Sequence, residues 1–305
     1  MQWTVGLLGY GEVGRILAEE LRERGIAAAM HDVKLADSEG AALAAHARDH
    51  GVAVAGDASQ LARQADLVIS AVTASQAVAA AAAASAGLRP GAFFLDLNSA
   101  SPGSKRTAAV LVEAAAGRYV EAAVMAPVPP YRLRVPLLLG GPHAAALLPL
   151  LERAGFAPTP VSAELGVASA VKMCRSVVVK GMEALLIESF SAARAYGVED
   201  AVVASLQESF PGIDWERQGT YFFQRVIEHG RRRAEEMREV AHTVAEAGLA
   251  PWSAEGTAAR QDWVAGLAAA GVFGTGAALL PQDWRLAADR ILQARSSTGL
   301  PPSRE

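Results

Sequence analysis

The sequence predicts an α/β domain, a doubly wound and mostly parallel sheet, followed by an all-α domain that a long helix joins to it. Three observations predict it. Short apolar runs alternate with helical stretches through the first half, the pattern of a parallel sheet with helices on both faces. A glycine-rich turn links the first apolar run to the first helical pattern. Beyond about Ser162 no strand-like run remains, and the hydrophobic period is helical. The domains are placed at 1–162 and 163–295, with a polar, Pro-rich tail at 296–305 that is expected to be mobile.

The first element is the apolar run Trp3 to Leu8, read as a short buried strand. Gly9-Tyr10-Gly11-Glu12-Val13-Gly14 follows, and Val13, Ile16, Leu17 and Leu21 then recur at helical spacing to Arg24. Strand, G-x-G-x-x-G, helix is the order a dinucleotide pyrophosphate requires. The first glycine permits the tight turn, and the second removes the side chain where phosphate meets backbone. The third lets helix and strand pack closely, and the helix N-terminus faces the anion. A tight strand–helix turn without a ligand would need the same glycines. It would not need Asp32, which closes the next apolar run, Ile26 to Met30, where a carboxylate holds ribose hydroxyls. The first domain is therefore expected to be a Rossmann domain. An acid at Asp32 accepts bonds from a 2′-hydroxyl and repels a 2′-phosphate, which favours NAD. Lys34 leaves NADP open.

The remaining strands are expected at Val52–Ala55, Ala65–Val72, Phe93–Leu97, Tyr119–Val124, Pro136–Leu139 and Phe156–Val161, with a helix at Glu39–His50. Ligands in such sheets bind at the carboxyl ends of the strands, so the loops from Gly9, Asp32, Val72 and Asp96 should line one crevice. That topology sets Val72, Thr73 and Asn98 among the cofactor contacts, with Ser75 nearby. In the second half, Ser162 is expected to cap a long helix to Tyr196, stopped by Gly197. Further helices are expected at Asp200–Phe210, Trp215–Glu228, Arg231–Ala247, Trp252–Ala270 and Pro281–Arg295. Trp215, Trp252, Trp263 and Trp284 read as core residues of this half.

Composition narrows the class. The chain has 305 residues, 51% hydrophobic and 20% charged, with a net charge of −4. That is globular and gives no hint of nucleic acid. The Ala77–Ala86 stretch is too short for a membrane span, and the N-terminus runs straight into the first strand, which leaves no room for a signal peptide. A single cysteine, Cys174, excludes an internal disulfide, and its apolar helix suggests that it is packed and inert. These features point to the cytoplasm. His46 and His50 are spaced to share a metal, but no third ligand is evident, so no metal is expected. Arg231-Arg232-Arg233 before Glu235, Glu236 and Glu239 reads most simply as a salt-bridged helix face, more sharply as a source of a carboxylate fork.

Lys172, Ser176 and Lys180 lie at i, i+4 and i+8 on the long helix and share one face among Val171, Met173 and Val177 to Val179. Such a stripe either faces solvent or borders a cleft; buried dry, it would be costly. Taking a hydride from a secondary alcohol requires a base for the hydroxyl proton. A partly buried lysine beside a positive nicotinamide is expected to have its pKa lowered toward that role.

Together these features resemble the β-hydroxyacid dehydrogenase superfamily, which includes 3-hydroxyisobutyrate and 6-phosphogluconate dehydrogenases. Gly9 to Gly14 matches the family's glycine loop. Asp96-Leu97-Asn98-Ser99-Ala100-Ser101-Pro102 is similar to D-x-S-T-x-x-P, with Asn98 for serine and Ser99 for threonine. Met125-Ala126-Pro127-Val128-Pro129-Pro130-Tyr131 keeps Ala-Pro-Val of the substrate loop but loses the serine and glycines that hold a carboxylate. Gly166 to Lys172 resembles G-x-G-x-x-x-K, with Arg175 and Ser176 in place of two asparagines, and a family lysine in the helical domain aligns with Glu235. Lys172-Met173, Lys180-Gly181 and the segment Arg232 to Val240 resemble the subgroup whose C-terminal domain is of unknown function.

The resemblance implies an NAD(P)-dependent oxidoreductase acting on a hydroxyl-bearing carbon of a small hydroxy acid or alcohol, with decarboxylation an available sequel. Lys172 is then the general acid/base and Ser99 positions the reacting oxygen. Pro129, Pro130, Ser176 and Lys180 shape substrate choice. It also implies a homodimer or larger homo-oligomer. Two alternatives stay open: an imine or ketone reductase on the same scaffold, and a protein that binds NAD without turnover.

Overall fold

The computed structural model describes residues 3–274 and 283–298, the side chains of 295–298 excepted. The first element, β1 (Thr4–Leu8), leads through the glycine turn into α1 (Glu12–Glu23). There follow β2 (Ala27–His31), α2 (Gly40–Asp49), β3 (Ala53–Val54), α3 (Ala58–Gln64), β4 (Leu67–Ser70), α4 (Ala77–Ser85), β5 (Phe93–Asp96) and α5 (Pro102–Ala114). The sheet is completed by β6 (Arg118–Val124), the short α6 (Val128–Tyr131), β7 (Pro136–Gly140), α7 (Ala144–Ala154) and β8 (Ala157–Ser162). The helices after it are α8 (Val167–Tyr196), α9 (Glu199–Ser209), α10 (Trp215–Glu246), α11 (Trp252–Ala269) and α12 (Trp284–Thr298).

The eight strands form one sheet in the order β3-β2-β1-β4-β5-β6-β7-β8. The order reverses at β1/β4, the switch point where such sheets open a crevice at their carboxyl ends. Every pairing is parallel except β6 with β7, where Glu121 lies opposite Gly140. This reversal follows from the connection, since α6 is only four residues long and cannot make a full crossover.

Alternation along the strands builds two cores. Val5, Leu7, Leu67, Ile69, Phe93, Leu95 and Val120 pack with Leu17, Leu21, Leu43 and Leu147, from α1, α2 and α7. Val68, Phe94 and Tyr119 point the other way, against Leu61, Ala81, Ala84, Ala109 and Val112 of α3, α4 and α5. Each fully buried aliphatic or aromatic side chain contributes about 1.5–3 kcal/mol, so a sheet covered on both faces is strongly favoured.

The chain divides into two compact units, Met1–Cys174 and Arg175–Glu305, and the division falls inside α8. The second unit has its own core, in which Phe190, Trp215, Phe223, Val226, Ile227 and Trp284 come together. Phe190 and Trp284 have ring centroids 4.5 Å apart, and the Trp284 indole donates to Glu216 at 2.8 Å.

Several expectations change. The helices expected at Trp215–Glu228 and Arg231–Ala247 are one helix, α10. Gly230 does not break it, because a Cβ there would lie 2.8 Å from the Gln261 carbonyl oxygen. The glycine lets α10 and α11 cross closely. Ser162 does not cap the long helix. Its hydroxyl accepts from the Glu164 amide at 3.0 Å in a local turn, and α8 begins five residues later, after Gly166 at φ +100°. Trp252 is 80% exposed and is no core residue, and Cys174 is exposed where a packed thiol was expected. Helix α12 runs to Thr298, past the expected end at Arg295. Pro281 and the expected tail from 299 onward lie outside the described residues.

Candidate active site

The glycine loop divides its three tasks as its spacing requires. Gly9 has φ +94°, and a Cβ there would lie 2.5 Å from the Ala71 carbonyl oxygen, against the start of the next loop. A Cβ on Gly14 would lie 2.2 Å from the Gly9 carbonyl oxygen, so helix and turn touch there. A Cβ on Gly11 would meet nothing within 4 Å. Gly11 is also the N-cap of α1 and supplies no side-chain cap, which leaves open backbone beside a helix N-terminus. This cradle fits a pyrophosphate. Glu12 is exposed at the start of α1, and Val13 packs its side chain on the sheet core.

Asp32 follows β2 and stands beside this loop. Its carboxylate accepts from the Tyr10 amide at 2.6 Å and from the Lys34 amide at 2.9 Å. It thus braces the glycine loop while lying at the strand end where a ribose would sit. Lys34 is turned to Glu39, 3.0 Å away, and this partner raises the affinity of its ammonium for its proton. The Tyr10 ring is buried, and burial followed by the nearby Glu19 charge pushes its hydroxyl pKa up to about 12.

The ends of β4 and β5 are stitched by Asn98. Its side chain accepts from the Val72 amide at 2.7 Å and donates to Ser70 Oγ at 2.9 Å, while its own amide donates to Asp96 at 2.9 Å. Asn98 thereby sets the path of the loop that carries Ser99. Thr73 is exposed just past Val72, its hydroxyl 3.4 Å from that of Ser75.

Lys172 reaches this loop. Its ammonium donates to Ser99 Oγ at 2.6 Å, and both residues are partly buried. The long helix and the strand loop thus meet in a cation–hydroxyl pair within the sheet unit.

Two buried acids explain why the pair is held in place, and the sequence reading missed both roles. Asp96 is fully buried at the end of β5. It receives the Lys105 ammonium at 2.9 Å and the Tyr119 hydroxyl at 2.7 Å, and Lys105 also donates to the Asp96 carbonyl at 2.9 Å. Burial and the Asp96 charge hold the Tyr119 proton well above its ordinary range. Glu121, fully buried on β6, accepts from the Gly166 and Ala168 amides at 2.8 and 3.1 Å and from the Ser169 hydroxyl at 2.9 Å. A carboxylate at the amino end of a helix satisfies orphan amides and complements the dipole. Glu121 therefore fixes where α8 begins, and with it the height of Lys172. A signal existed in each case, because an acid inside an apolar strand demands a partner.

The Pro127–Tyr131 segment places Pro129 and Pro130 at the surface, with Val128 buried. Arg132 ends α6 at φ +53° and bonds Glu20 at 2.5 Å and Glu19 at 2.6 Å, both on α1. The Arg132 bond holds the Glu19 carboxyl below its ordinary pKa.

In the helical unit, Ser176 and Lys180 are buried, 5% and 7% exposed, so this part of the stripe does not face solvent. Lys180 is paired with Glu236, and Arg233 is paired with Glu183. Burial lowers the Lys180 pKa against the opposing pull of Glu236, and burial raises that of Glu183 against Arg233. The arginine run is therefore no simple surface face. Arg231 and Arg232 are exposed, while Arg233 turns to α8 and Arg238 pairs with Asp262 on α11.

Comparison with known proteins places the chain. Residues 4–148 match the NAD binding domain of 6-phosphogluconate dehydrogenase, and residues 193–264 match a domain of unknown function, DUF1932. A conserved hypothetical protein from Sinorhizobium meliloti is 35% identical with a TM-score of 0.75, over 96% of this chain and 97% of that one. A conserved protein of unknown function, described as structurally similar to 3-hydroxyacid dehydrogenases, is 31% identical with a TM-score of 0.66, over 87% and 99%. An uncharacterised 28.5 kDa protein of Methanothermus fervidus is 27% identical over 165 residues, 52% of this chain and 60% of that protein. The fold is also that of Mycobacterium tuberculosis 3-hydroxyisobutyrate dehydrogenase, at 19% identity and a TM-score of 0.69 over 95% and 99%, and more loosely that of imine reductases. No helix among the described residues is long and apolar enough to cross a membrane. With an NAD(P)-binding sheet domain ahead of a DUF1932 helical domain, the chain belongs to the 6-phosphogluconate dehydrogenase-like branch of the β-hydroxyacid dehydrogenase fold.

Proposed function

We propose that this protein is an NAD(P)-dependent oxidoreductase that moves hydride between the nicotinamide and a hydroxyl-bearing carbon of a small hydroxy acid or alcohol. The observation that carries the reading is the 2.6 Å contact between Lys172 Nζ and Ser99 Oγ, on a loop at the carboxyl end of the sheet. The nicotinamide, when bound, supplies the hydride acceptor or donor. The chain supplies the rest. Gly9 to Gly14 receives the pyrophosphate, and Val72 and Thr73 lie along the way to the nicotinamide. Ser99 orients the substrate oxygen. Lys172 takes the hydroxyl proton in oxidation and returns it in reduction. Ser176 and Lys180 follow Lys172 by one and two turns of α8. Pro129 and Pro130, at the surface of the sheet unit, bear on substrate choice.

NAD is the favoured dinucleotide. Asp32 offers a carboxylate where a 2′-phosphate would be repelled, and Lys34 is engaged by Glu39. Imine reduction on the same scaffold is disfavoured by the retained lysine, which alcohol oxidation uses as a base. A homodimer or larger assembly fits the exposed Val178, Leu185 and Trp252 of the helical unit.

The test is a panel of small hydroxy acids and alcohols with NAD, read by NADH absorbance. Turnover that falls by about 10²–10⁴ in Lys172→Ala supports the reading. Dinucleotide binding without turnover on any of them, with reduction of cyclic imines, would replace it by the imine reductase reading. Binding with neither activity would leave a non-catalytic NAD-binding protein.

A further inference from the structure

His46 on α2 and His50 at its C-terminal cap had no third ligand in the sequence, and the fold supplies one. Glu19 of α1 meets His46 Nε2 at 3.1 Å, and one ligand atom each of Glu19, His46 and His50 lies within 4.8 Å of the other two. The imidazoles of His46 and His50 are one helical turn apart and stack with centroids 4.3 Å apart.

Each of these side chains is oriented by a second partner. His50 Nδ1 lies 2.9 Å from the His46 carbonyl oxygen. A carbonyl only accepts, so Nδ1 carries the proton and Nε2 of the neutral ring keeps its lone pair. His46 Nε2 donates to Glu19 Oε1, which as a carboxylate only accepts, and Nδ1 lies 3.2 Å from the Tyr10 hydroxyl. An ion would take the place of that Nε2 proton, with the Tyr10 hydroxyl able to accept from Nδ1. Glu19 uses Oε2 to accept from Arg132 at 2.6 Å, which leaves Oε1 toward His46. Metal ligands are characteristically held in this way by outer partners on backbone, hydroxyl or charged groups. The Glu19–His46 spacing also fits. Two ligands about 2.0–2.1 Å from a tetrahedral ion stand about 3.3 Å apart, close to the Glu19–His46 separation.

We propose that Glu19, His46 and His50 form a binding site for a divalent transition ion of the zinc class. Two imidazoles and one carboxylate are the donor set such ions take, and the exposure of His50 leaves a fourth position to water or an added ligand. The site uses none of the residues proposed for hydride transfer. Through Tyr10 it adjoins the glycine loop, and an ion there would tie α1 to α2.

The test is a titration of the full-length protein with Co²⁺, followed by its visible absorption and by displacement with Zn²⁺. Cys174→Ser serves as the reference, because the exposed thiol is a competing ligand. The site predicts one saturable Co²⁺ in the reference, weakened at least about tenfold by His50→Ala and by Glu19→Gln. It also predicts a Zn²⁺-dependent rise in Tm that both changes reduce. His50 is exposed, so its removal leaves the fold intact. Absence of saturable binding in the reference, or equal affinity in the reference and His50→Ala, would overturn the proposal.

Discussion

Two loops of the sheet unit treat their backbones in opposite ways. Gly9 to Gly14 strips side chains away, so that open main chain at Gly11 and the N-terminus of α1 face an incoming anion. Pro127 to Arg132 removes amide donors instead, since Pro127, Pro129 and Pro130 have none. The arginine that follows is already engaged by Glu19 and Glu20. The first loop is made for a charged, invariant group. The second lacks the donors that would grip a carboxylate. On the proposed function, the difference teaches that the loop for the dinucleotide and the loop assigned to the substrate follow separate chemical rules.

The largest effect is expected at Lys172, which contacts Ser99 on a third loop. Lys172→Ala should lower turnover by about 10²–10⁴ while NADH affinity changes by less than about twofold. Loss of both together would mean that the lysine supports the fold and not the chemistry. Next come the glycines. Gly14→Ala forces a Cβ to 2.2 Å from the Gly9 carbonyl oxygen and should cost about 1–3 kcal/mol in denaturant unfolding. Gly11→Ala meets open space and should cost no more than about 1 kcal/mol as a poorer cap, yet weaken NADH at least tenfold. Equal stability losses at the two positions would break the division of labour drawn here.

The second loop can be sharpened in the other direction. Pro130→Ala restores one amide. If missing donors set substrate choice, KM for small hydroxy acids should fall, by about tenfold for one bond to a charged group, with uncharged alcohols unaffected. A parallel change for both classes would show that loop shape decides instead. The smallest effect concerns the brace behind this loop. The Glu19 carboxyl titrates lower in the folded chain than unfolded because of Arg132. Its contribution is therefore present above the unfolded value, near 4.5, and is lost as pH falls through the folded one. Arg132→Gln should lower the neutral plateau slightly and flatten the acid limb below about pH 4.5, so that the two stability curves converge at the lowest pH. An unaltered acid limb would remove Arg132 from the account.

The parts legible in the sequence are those with local causes. Each strand run ends in a turn or a polar residue, and the glycine loop and Asp32 sit at fixed offsets from β1, so all could be placed along the chain. Lys172 and Ser99 were identified through motif resemblance, and the fold brings them together. What stayed hidden depends on residues far apart in the chain. Lys105 on α5 reads as a surface lysine until Asp96 and Tyr119 enclose it. Glu121 reads as a strand acid until the amides of Gly166 and Ala168 reach it. Gly230 reads as a stop until α11 is packed against it. Trp252 and Cys174 sit in apolar surroundings along the chain, but their helices turn them outward. Glu19 joins His46 and His50 only because α1 and α2 lie side by side.

The most direct measurement is a fluorescence titration of NADH against the wild type, Gly11→Ala and Lys172→Ala. Binding that is weakened at least tenfold in Gly11→Ala and retained in a catalytically silent Lys172→Ala is the result predicted. Unchanged binding in Gly11→Ala would contradict the assignment of the glycine loop to the dinucleotide. With it would fall the hydride-transfer function built upon that loop.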